Sequence, residues 1–215
     1  MKQALRNVLT PIFVDEHLLV LDKPAGLLSV PGRGADKADC LSARAQAQWS
    51  DARVVHRLDM ATSGLVLFAR GADMQRRLSM AFAAGEVHKR YVAVVSGVMA
   101  QDVGEIDFPL AADWPRRPLQ VVDPVRGKAS LTRWRVLLRD AAQAQTRVEL
   151  VPVTGRTHQL RVHLQAIGHG ILGDALYAPA QYLASPARLM LHATWLGYAH
   201  PEGGQPMHHQ SPPPF

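Results

Sequence analysis

The spacing of apolar and polar residues predicts a chain of short strands interrupted by a few helices. The most apolar stretch, 65–69, lies between Gly64 and Gly71 and is typical of a buried strand. A second strand is predicted over 87–95, where both faces become apolar, which indicates a central place in a sheet. Alternation over 129–138, and again over 146–152, predicts an antiparallel pair.

Three segments have the periodicity of amphipathic helices: 39–49, 72–84 and 157–167. The second should end at Gly85, and the third should begin with Thr157 as N-cap and end at Gly168. The remaining predicted elements are two short strands within 11–22, a hairpin-like excursion within 100–128, a last strand over 188–199 and a surface tail over 201–215. Paired strands with few helices predict the α+β class.

Length and composition limit the possible kinds of protein. The chain has 215 residues, 47% of them hydrophobic, which suits one large domain or two fused lobes. It has no apolar run long enough for a transmembrane helix, and its first residues lack the apolar region of a signal peptide. Cys40 is the single cysteine, so no internal disulfide can form, and a cytoplasmic location is expected. Cys40 is either a core residue or a nucleophile, and its helix-like surroundings favour the core.

The charge balance is basic, with a formal net charge of +6 and a pI near 9.9. Most of the excess is arginine, and basic pairs occur at 76–77, 89–90 and 116–117. The basic excess suits a polyanionic partner, above all nucleic acid, and an ordinary solvated basic surface is the alternative interpretation. The excess of arginine over lysine tilts the interpretation toward phosphate recognition, because the guanidinium group matches phosphate oxygens with two parallel donors.

One polar loop stands out immediately before the strand at 65–69. Its residues, 56–64, are His-Arg-Leu-Asp-Met-Ala-Thr-Ser-Gly, with Asp59 in the centre. An isolated aspartate at such a place is most often a turn residue. Here the whole stretch resembles the signature loop of the RluA-type pseudouridine synthases at every fixed position. Further blocks similar to that family follow in family order at 21–26, 89–93, 155–163, 173–177 and 191–193.

The resemblance implies a pseudouridine synthase fold: a mixed, largely antiparallel sheet flanked by helices, with a central RNA-binding cleft. It implies one catalytic domain over 1–215, without an N-terminal S4 domain, because the pattern begins near residue 11. The expected reaction converts uridine in structured RNA to pseudouridine. It needs no metal and no cofactor, because it involves neither redox change nor net hydrolysis. We expect a monomer with an RNA partner and no membrane contact.

The resemblance also assigns roles to individual residues. Asp59 is the catalytic residue, and the presence of one motif carboxylate suits an isomerisation in which the base returns to the same sugar. Attack on C1′, attack on C6 and deprotonation of C2′ all stay open. Arg156 is expected to pair with Asp59, although an arginine before a helix can also be a surface residue. Tyr91 is expected to stack on the target base, although an aromatic on a central strand is often a core residue.

The remaining candidate residues concern RNA binding. Arg57 is expected to enter the RNA and hold the target nucleotide out of its stack. Leu160 and Leu191 are expected to line the pocket, and Arg161 and Lys23 are candidate phosphate contacts. The histidines of the motifs do not predict a metal site, because 158 and 163 are five residues apart instead of the four that helical ligand pairs use.

The substrate is predicted less directly than the reaction. Segments 27–33 and 113–118 resemble the small RluA subgroup, which modifies a loop uridine of large-subunit rRNA and of the tRNA anticodon arm. The same motifs also occur in synthases that act on other rRNA or tRNA uridines. Two further hypotheses are a non-catalytic RNA-binding protein on this scaffold and a nucleoside or glycoside hydrolase. An intact set of Asp59, Tyr91 and Arg156 disfavours the first, and the lack of a second motif carboxylate disfavours the other.

Overall fold

The computed structural model describes residues 8–32, 34, 37–178 and 188–215. The expectations for the first residues of the chain and for Arg33 lie outside this range. The described elements are, in chain order, β1 (Phe13–Val14), β2 (Leu18–Lys23), α1 (Leu41–Gln48), β3 (Ala52–Val54), β4 (Ser63–Arg70), α2 (Ala72–Ala84), β5 (His88–Ser96), β6 (Val103–Ile106), β7 (Leu110–Ala112), β8 (Gln120–Val122), β9 (Thr132–Asp140), β10 (Gln145–Pro152), α3 (Gln159–Ala166), β11 (Leu191–Ala199) and β12 (Pro206–Gln210). Many strands with three helices fit the predicted α+β class.

The chain divides into two compact units. The first contains Met1–His88 and Ala193–Pro212, and the second contains Lys89–His192 and Pro213–Phe215. None of the helices in the described part of the chain is long and apolar enough to cross a membrane.

The core of the first unit forms around β4, which is buried over seven of its eight residues. β4 pairs antiparallel with β2 from Leu18 opposite Ala69 to Lys23 opposite Gly64. Met74 and Leu78 of α2 pack into the same cluster, one helical turn apart. α2 ends at Gly85, whose φ of 75° is the left-handed conformation that glycine adopts without strain. The predicted strand, helix and stop are all confirmed.

The second unit has a sheet in the order β5-β10-β9-β6 and a separate hairpin, β7–β8. β9 and β10 pair antiparallel, with Trp134 opposite Leu150, as the two alternating segments predicted. Leu150 is fully buried and Trp134 nearly so, because inward positions recur every second residue. The hairpin lies inside the excursion predicted over 100–128.

The predicted start and the predicted N-cap of the third helix were wrong. Helix α3 begins at Gln159 and not at Thr157, and its N-cap is His158 in a left-handed conformation with φ of 54°. The loop before it gets its hydrogen bonds from the Gln159 side chain instead of a capping hydroxyl. The predicted stop at Gly168 agrees with the structure, since Gly168 has φ of 83°.

The C-terminal tail, which the sequence predicted to lie along the surface, is mostly exposed but contains a strand that was not predicted. Its residues form β12, which pairs antiparallel with β11 from Trp195 opposite Gln210 to Ala199 opposite Pro206. His209 is buried, and its Nε2 lies 2.9 Å from the Tyr198 hydroxyl, so it is not a solvated histidine.

Candidate active site

The loop over 55–62, between β3 and β4, carries Asp59 and is held by hydrogen bonds on both sides of that residue. The Ser29 hydroxyl donates to the Leu58 carbonyl at 2.7 Å and accepts from the Leu58 amide at 3.1 Å. The Met60 carbonyl accepts from the Lys23 ammonium at 3.0 Å. Because Leu58 and Met60 flank Asp59, both neighbours of this carboxylate are fixed by buried partners.

His56 fixes the beginning of the same loop. Its Nε2 accepts from the Leu67 amide at 2.9 Å, and its ring stacks on Phe82 with centroids 4.6 Å apart. At the other end Gly64 has φ of 113°, and a Cβ on it would lie 2.3 Å from the Ala193 carbonyl oxygen. A side chain at position 64 is therefore excluded, and only glycine allows this backbone conformation where the loop joins β4.

The two charged residues of the loop differ in exposure. Asp59 is partly buried and its carbonyl accepts from the Thr62 amide at 3.1 Å, whereas Arg57 is exposed. A partly buried carboxylate beside an exposed guanidinium can react with a bound nucleoside while the guanidinium reaches into surrounding RNA.

The structure disfavours the predicted phosphate contact of Lys23, because it buries this side chain. Its side chain is fully buried, and the ammonium donates to the carbonyls of Pro24 at 3.0 Å, Leu27 at 2.7 Å and Met60 at 3.0 Å. An ammonium group has three N–H donors, and these three carbonyls can use all of them. The lysine therefore ties strand β2 to the Asp59 loop.

In the second unit, Arg156 lies on an exposed loop between β10 and α3. Its amide donates to the Gln159 side-chain oxygen at 2.9 Å, and its Nε donates to the Ala129 carbonyl at 3.1 Å. The Gln159 side chain also donates to the Leu131 carbonyl at 3.0 Å, so it fastens the loop to the start of β9. No role is predicted for Gln159 from the sequence, because a glutamine at a helix start has no distinctive pattern.

The other predicted residues of this unit are buried. Tyr91 lies on β5 opposite Leu150, with 8% of its surface exposed. Leu160, at the start of α3, and Leu191, at the start of β11, are also buried, as apolar wall residues would be. Burial lowers the pKa of Lys89, which precedes Tyr91 by two residues on the same face of the strand.

Arg161 is a second correction, because it is buried and does not face solvent. Its Nε and Nη2 each lie 2.7 Å from an oxygen of Asp174, and the two side chains are 4% and 0% exposed. Asp174 also accepts from the amides of Leu176 and Tyr177. Arg161 thus fastens the 174–177 segment to α3, and the Nε–Nη2 edge of its guanidinium is already engaged by the Asp174 carboxylate.

Tyr177 connects three parts of the second unit. Its hydroxyl lies 2.6 Å from Nδ1 of His158 and accepts from the Gln120 amide at 2.9 Å. No role is predicted for Tyr177 from the sequence, although its block, 173–177, is one of those that carry the family resemblance. In the described part of the chain, no three metal-binding side chains are close enough to hold an ion.

Comparison with known proteins defines the class of this enzyme. Residues 17–166 match the family model described as RNA pseudouridylate synthase. The chain belongs to this family, and it is an enzyme that isomerises uridine to pseudouridine in RNA.

The similar curated proteins are more specific. The chain is 50% identical over 190 residues to the dual-specificity RNA pseudouridine synthase RluA of Vibrio cholerae, covering 88% of this chain and 77% of that protein. It is 44% identical over 204 residues to the RluA of Escherichia coli strain K12, covering 95% and 93%. These similarities confirm the predicted RluA-type family.

Solved structures agree on the fold. Human RNA pseudouridylate synthase domain containing 1 superposes with a TM-score of 0.81 at 28% identity, covering 97% of this chain and 85% of that one. Human RNA pseudouridylate synthase domain containing 4 superposes with a TM-score of 0.76 at 25% identity, covering 99% of this chain and 90% of that one. The predicted pseudouridine synthase fold is therefore confirmed.

Proposed function

We propose that this enzyme is a dual-specificity synthase that acts on one loop uridine of large-subunit rRNA and one of the tRNA anticodon arm. The observation that carries the proposal is the identity of 44–50%, over most of the chain, with proteins named dual-specificity RluA. The basic charge of +6 supports two polyanionic substrates. A monomeric state and a cytoplasmic location are part of the same proposal.

Asp59 is the proposed catalytic residue. The reaction breaks the C1′–N1 bond, turns the base and forms a C1′–C5 bond, while the proton leaves C5 and N1 gains one. A carboxylate next to the sugar can assist either as a nucleophile or as a base. The bonds from Ser29 and Lys23 support this role, because a carboxylate on a fixed backbone needs little reorganisation before it reacts.

Arg156 and Tyr91 are proposed to act with Asp59, on the strength of the family motifs that contain them. Arg156 would neutralise the carboxylate, and the ring of Tyr91 would stack on the base. Arg57 is proposed to hold the flipped state of the RNA open, which its exposure on the Asp59 loop supports. Leu160 and Leu191 are proposed as apolar walls, which their burial allows.

Pseudouridine mapping in total RNA tests both targets together. Cells with the gene deleted should lose one site in large-subunit rRNA and one in the anticodon arm, and the wild-type gene should restore both. Loss from only one class of RNA would refute dual specificity. Loss from neither, with an active purified enzyme, would show that the targets are other uridines.

The same cells test the catalytic residue. Asp59→Asn should restore neither site while the purified variant binds RNA within several-fold of wild type. Asp51→Asn is the matched control, because Asp51 is an aspartate of the same unit whose partner is Arg70, 3.1 Å away, outside the loop. If Asp59→Asn turned over repeatedly, the carboxylate would not be catalytic.

A further inference from the structure

The turn over 113–119, which joins β7 to β8, exposes an indole ring. Trp114 is 67% exposed, although a tryptophan on a soluble protein is usually largely buried. The Arg117 guanidinium carbon lies 3.3 Å from the Trp114 ring centroid, so it covers one face of the indole. With that much surface open, the opposite face is accessible to a flat ligand.

The turn holds this arrangement in place through its own hydrogen bonds. The Asp113 amide donates to the Leu119 carbonyl at 3.0 Å, and the Leu119 amide donates to the Arg116 carbonyl at 3.0 Å. The Asp113 carboxylate, which is mostly buried, accepts from the Arg116 guanidinium at 2.6 Å. Trp114 is therefore presented on a hydrogen-bonded turn, with the Arg117 guanidinium over its ring and the Arg116 guanidinium oriented by Asp113.

Hydrogen bonds connect the turn to the segment that carries Arg156. Gln120, the first residue after the turn, donates its amide to the Tyr177 hydroxyl, and that hydroxyl also bonds His158. Ala129, just beyond the hairpin, accepts from the Arg156 side chain. The hairpin is thus attached to the start of α3 at two places.

We propose that Trp114 is a stacking platform for an unpaired base of the RNA substrate, a few nucleotides from the target uridine. Aromatic side chains and guanidinium planes are the groups on which proteins stack splayed-out bases of RNA loops. Arg117 packs on one face of the indole and so fixes its orientation. Arg116, whose side chain is 70% exposed, offers the outer edge of its guanidinium to a neighbouring phosphate. The inference rests on the RNA substrate of the proposed function and adds a second contact outside the catalytic centre.

The first test measures RNA binding and turnover separately. Trp114→Ala should weaken the binding of a substrate stem-loop by about fivefold to a hundredfold, the range seen when one stacked base loses its aromatic partner. Its single-turnover rate at saturating RNA should stay within twofold of wild type, because Trp114 does not touch the reacting atoms. Trp114→Phe should restore most of the affinity.

Val125→Ala is the matched control, because Val125 is 91% exposed on the loop after the same hairpin. It should bind RNA as wild type does. Equal affinities for Trp114→Ala and Val125→Ala would overturn the proposal. An unchanged affinity with a lost interaction to another protein would instead make the exposed indole a protein contact.

The second test identifies the base and does not depend on turnover. Each loop nucleotide except the target is replaced in turn by an abasic one, and binding is measured with wild type and with Trp114→Ala. At one position, the abasic RNA should bind wild type more weakly than the intact RNA does, but it should bind Trp114→Ala as well as the intact RNA does. The abasic replacement and the Trp114→Ala substitution then remove the same contact. Replacements that add to the Trp114 loss at every position would overturn the proposal.

Trp114 fluorescence separates this inference from the question of dual specificity. Of the four tryptophans, Trp114 is the one on the exposed turn, so stacking should quench emission in wild type and not in Trp114→Phe. Quenching by rRNA and tRNA stem-loops should occur even if only one of them is modified. Absence of quenching with an RNA that is modified would refute the platform alone.

Discussion

The buried pair of Arg161 and Asp174 permits a quantitative prediction. Replacing Arg161 with Met keeps most of the side-chain volume but removes both 2.7 Å bonds to the carboxylate. Asp174 is then left in the interior, where the amides of Leu176 and Tyr177 still donate to its carboxylate. A buried carboxylate without its counter-ion is costly, because desolvation is no longer balanced.

The expected loss is about 3–5 kcal/mol in the free energy of unfolding, the range for breaking a buried ion pair from one side. That is a large part of the roughly 5–15 kcal/mol that holds a typical folded protein together. Adding Asp174→Asn should recover much of the loss, since an amide oxygen can still accept from the two backbone amides and carries no charge.

Arg133 provides the matched control for this experiment. It pairs with Glu105 at the same 2.7 Å, but the two side chains are 61% and 54% exposed. Arg133→Met should therefore cost no more than about 1 kcal/mol. Urea unfolding of the three variants and wild type measures each difference. Equal losses for Arg161→Met and Arg133→Met would refute the argument from burial, and lost RNA affinity at wild-type stability would make Arg161 a phosphate contact after all.

Four further predictions concern single side chains. Lys23→Met should cost about 2–4 kcal/mol in urea unfolding, because buried carbonyls lose their donor, and it should lower the rate by loosening the Asp59 loop. Arg156→Ala should abolish turnover but change the unfolding free energy by less than about 1 kcal/mol, because Arg156 is exposed; wild-type activity would remove its proposed role. Arg57→Ala should reduce the single-turnover rate more than the slope of RNA affinity against salt, whereas a changed slope alone would indicate a phosphate contact. Burial lowers the pKa of His163 below 6.5, so the unfolded chain takes up a proton first, and stability should fall as the pH drops from about 6.5; urea midpoints against pH should fall less steeply for His163→Gln.

The elements that the sequence predicted well are those in which one local pattern determines the structure. β4 is a short apolar run between glycines, and α2 has apolar residues on one face followed by Gly85. The pairing of β9 with β10 followed from alternation alone, because inward residues such as Leu150 recur every second position.

The failures came where distant contacts decide the structure. β12 has the sequence Pro-Met-His-His-Gln, which has no alternation of apolar and polar residues, and it becomes a strand because β11 offers it a partner edge. Lys23 and Arg161 are cations within functional motifs, which is why the sequence predicts phosphate contacts for them. Their partners, the Met60 carbonyl and Asp174, lie 37 and 13 residues away, which no local pattern reveals.

The sequence predicts which residues belong to the candidate site, but it does not predict which side chains hold the site's loops in place. The motif around Asp59 identified the loop, but Ser29, which binds Leu58 from 29 residues away, gives no signal of its own. The same holds for Tyr177 and Gln159, whose side chains bind backbone groups of other segments.

The hydrogen bonds that hold the Asp59 loop determine whether the loop loses its conformational entropy on folding or on RNA binding. Fixing one residue's backbone costs roughly 1–2 kcal/mol, and here Ser29, Lys23 and His56 hold the loop without any ligand. That cost is met once, as the chain folds, and does not reduce the affinity for each RNA molecule that arrives. We therefore expect the RNA to change shape on binding more than this loop does, so that uridines in strained or poorly stacked loops are flipped at the lowest cost.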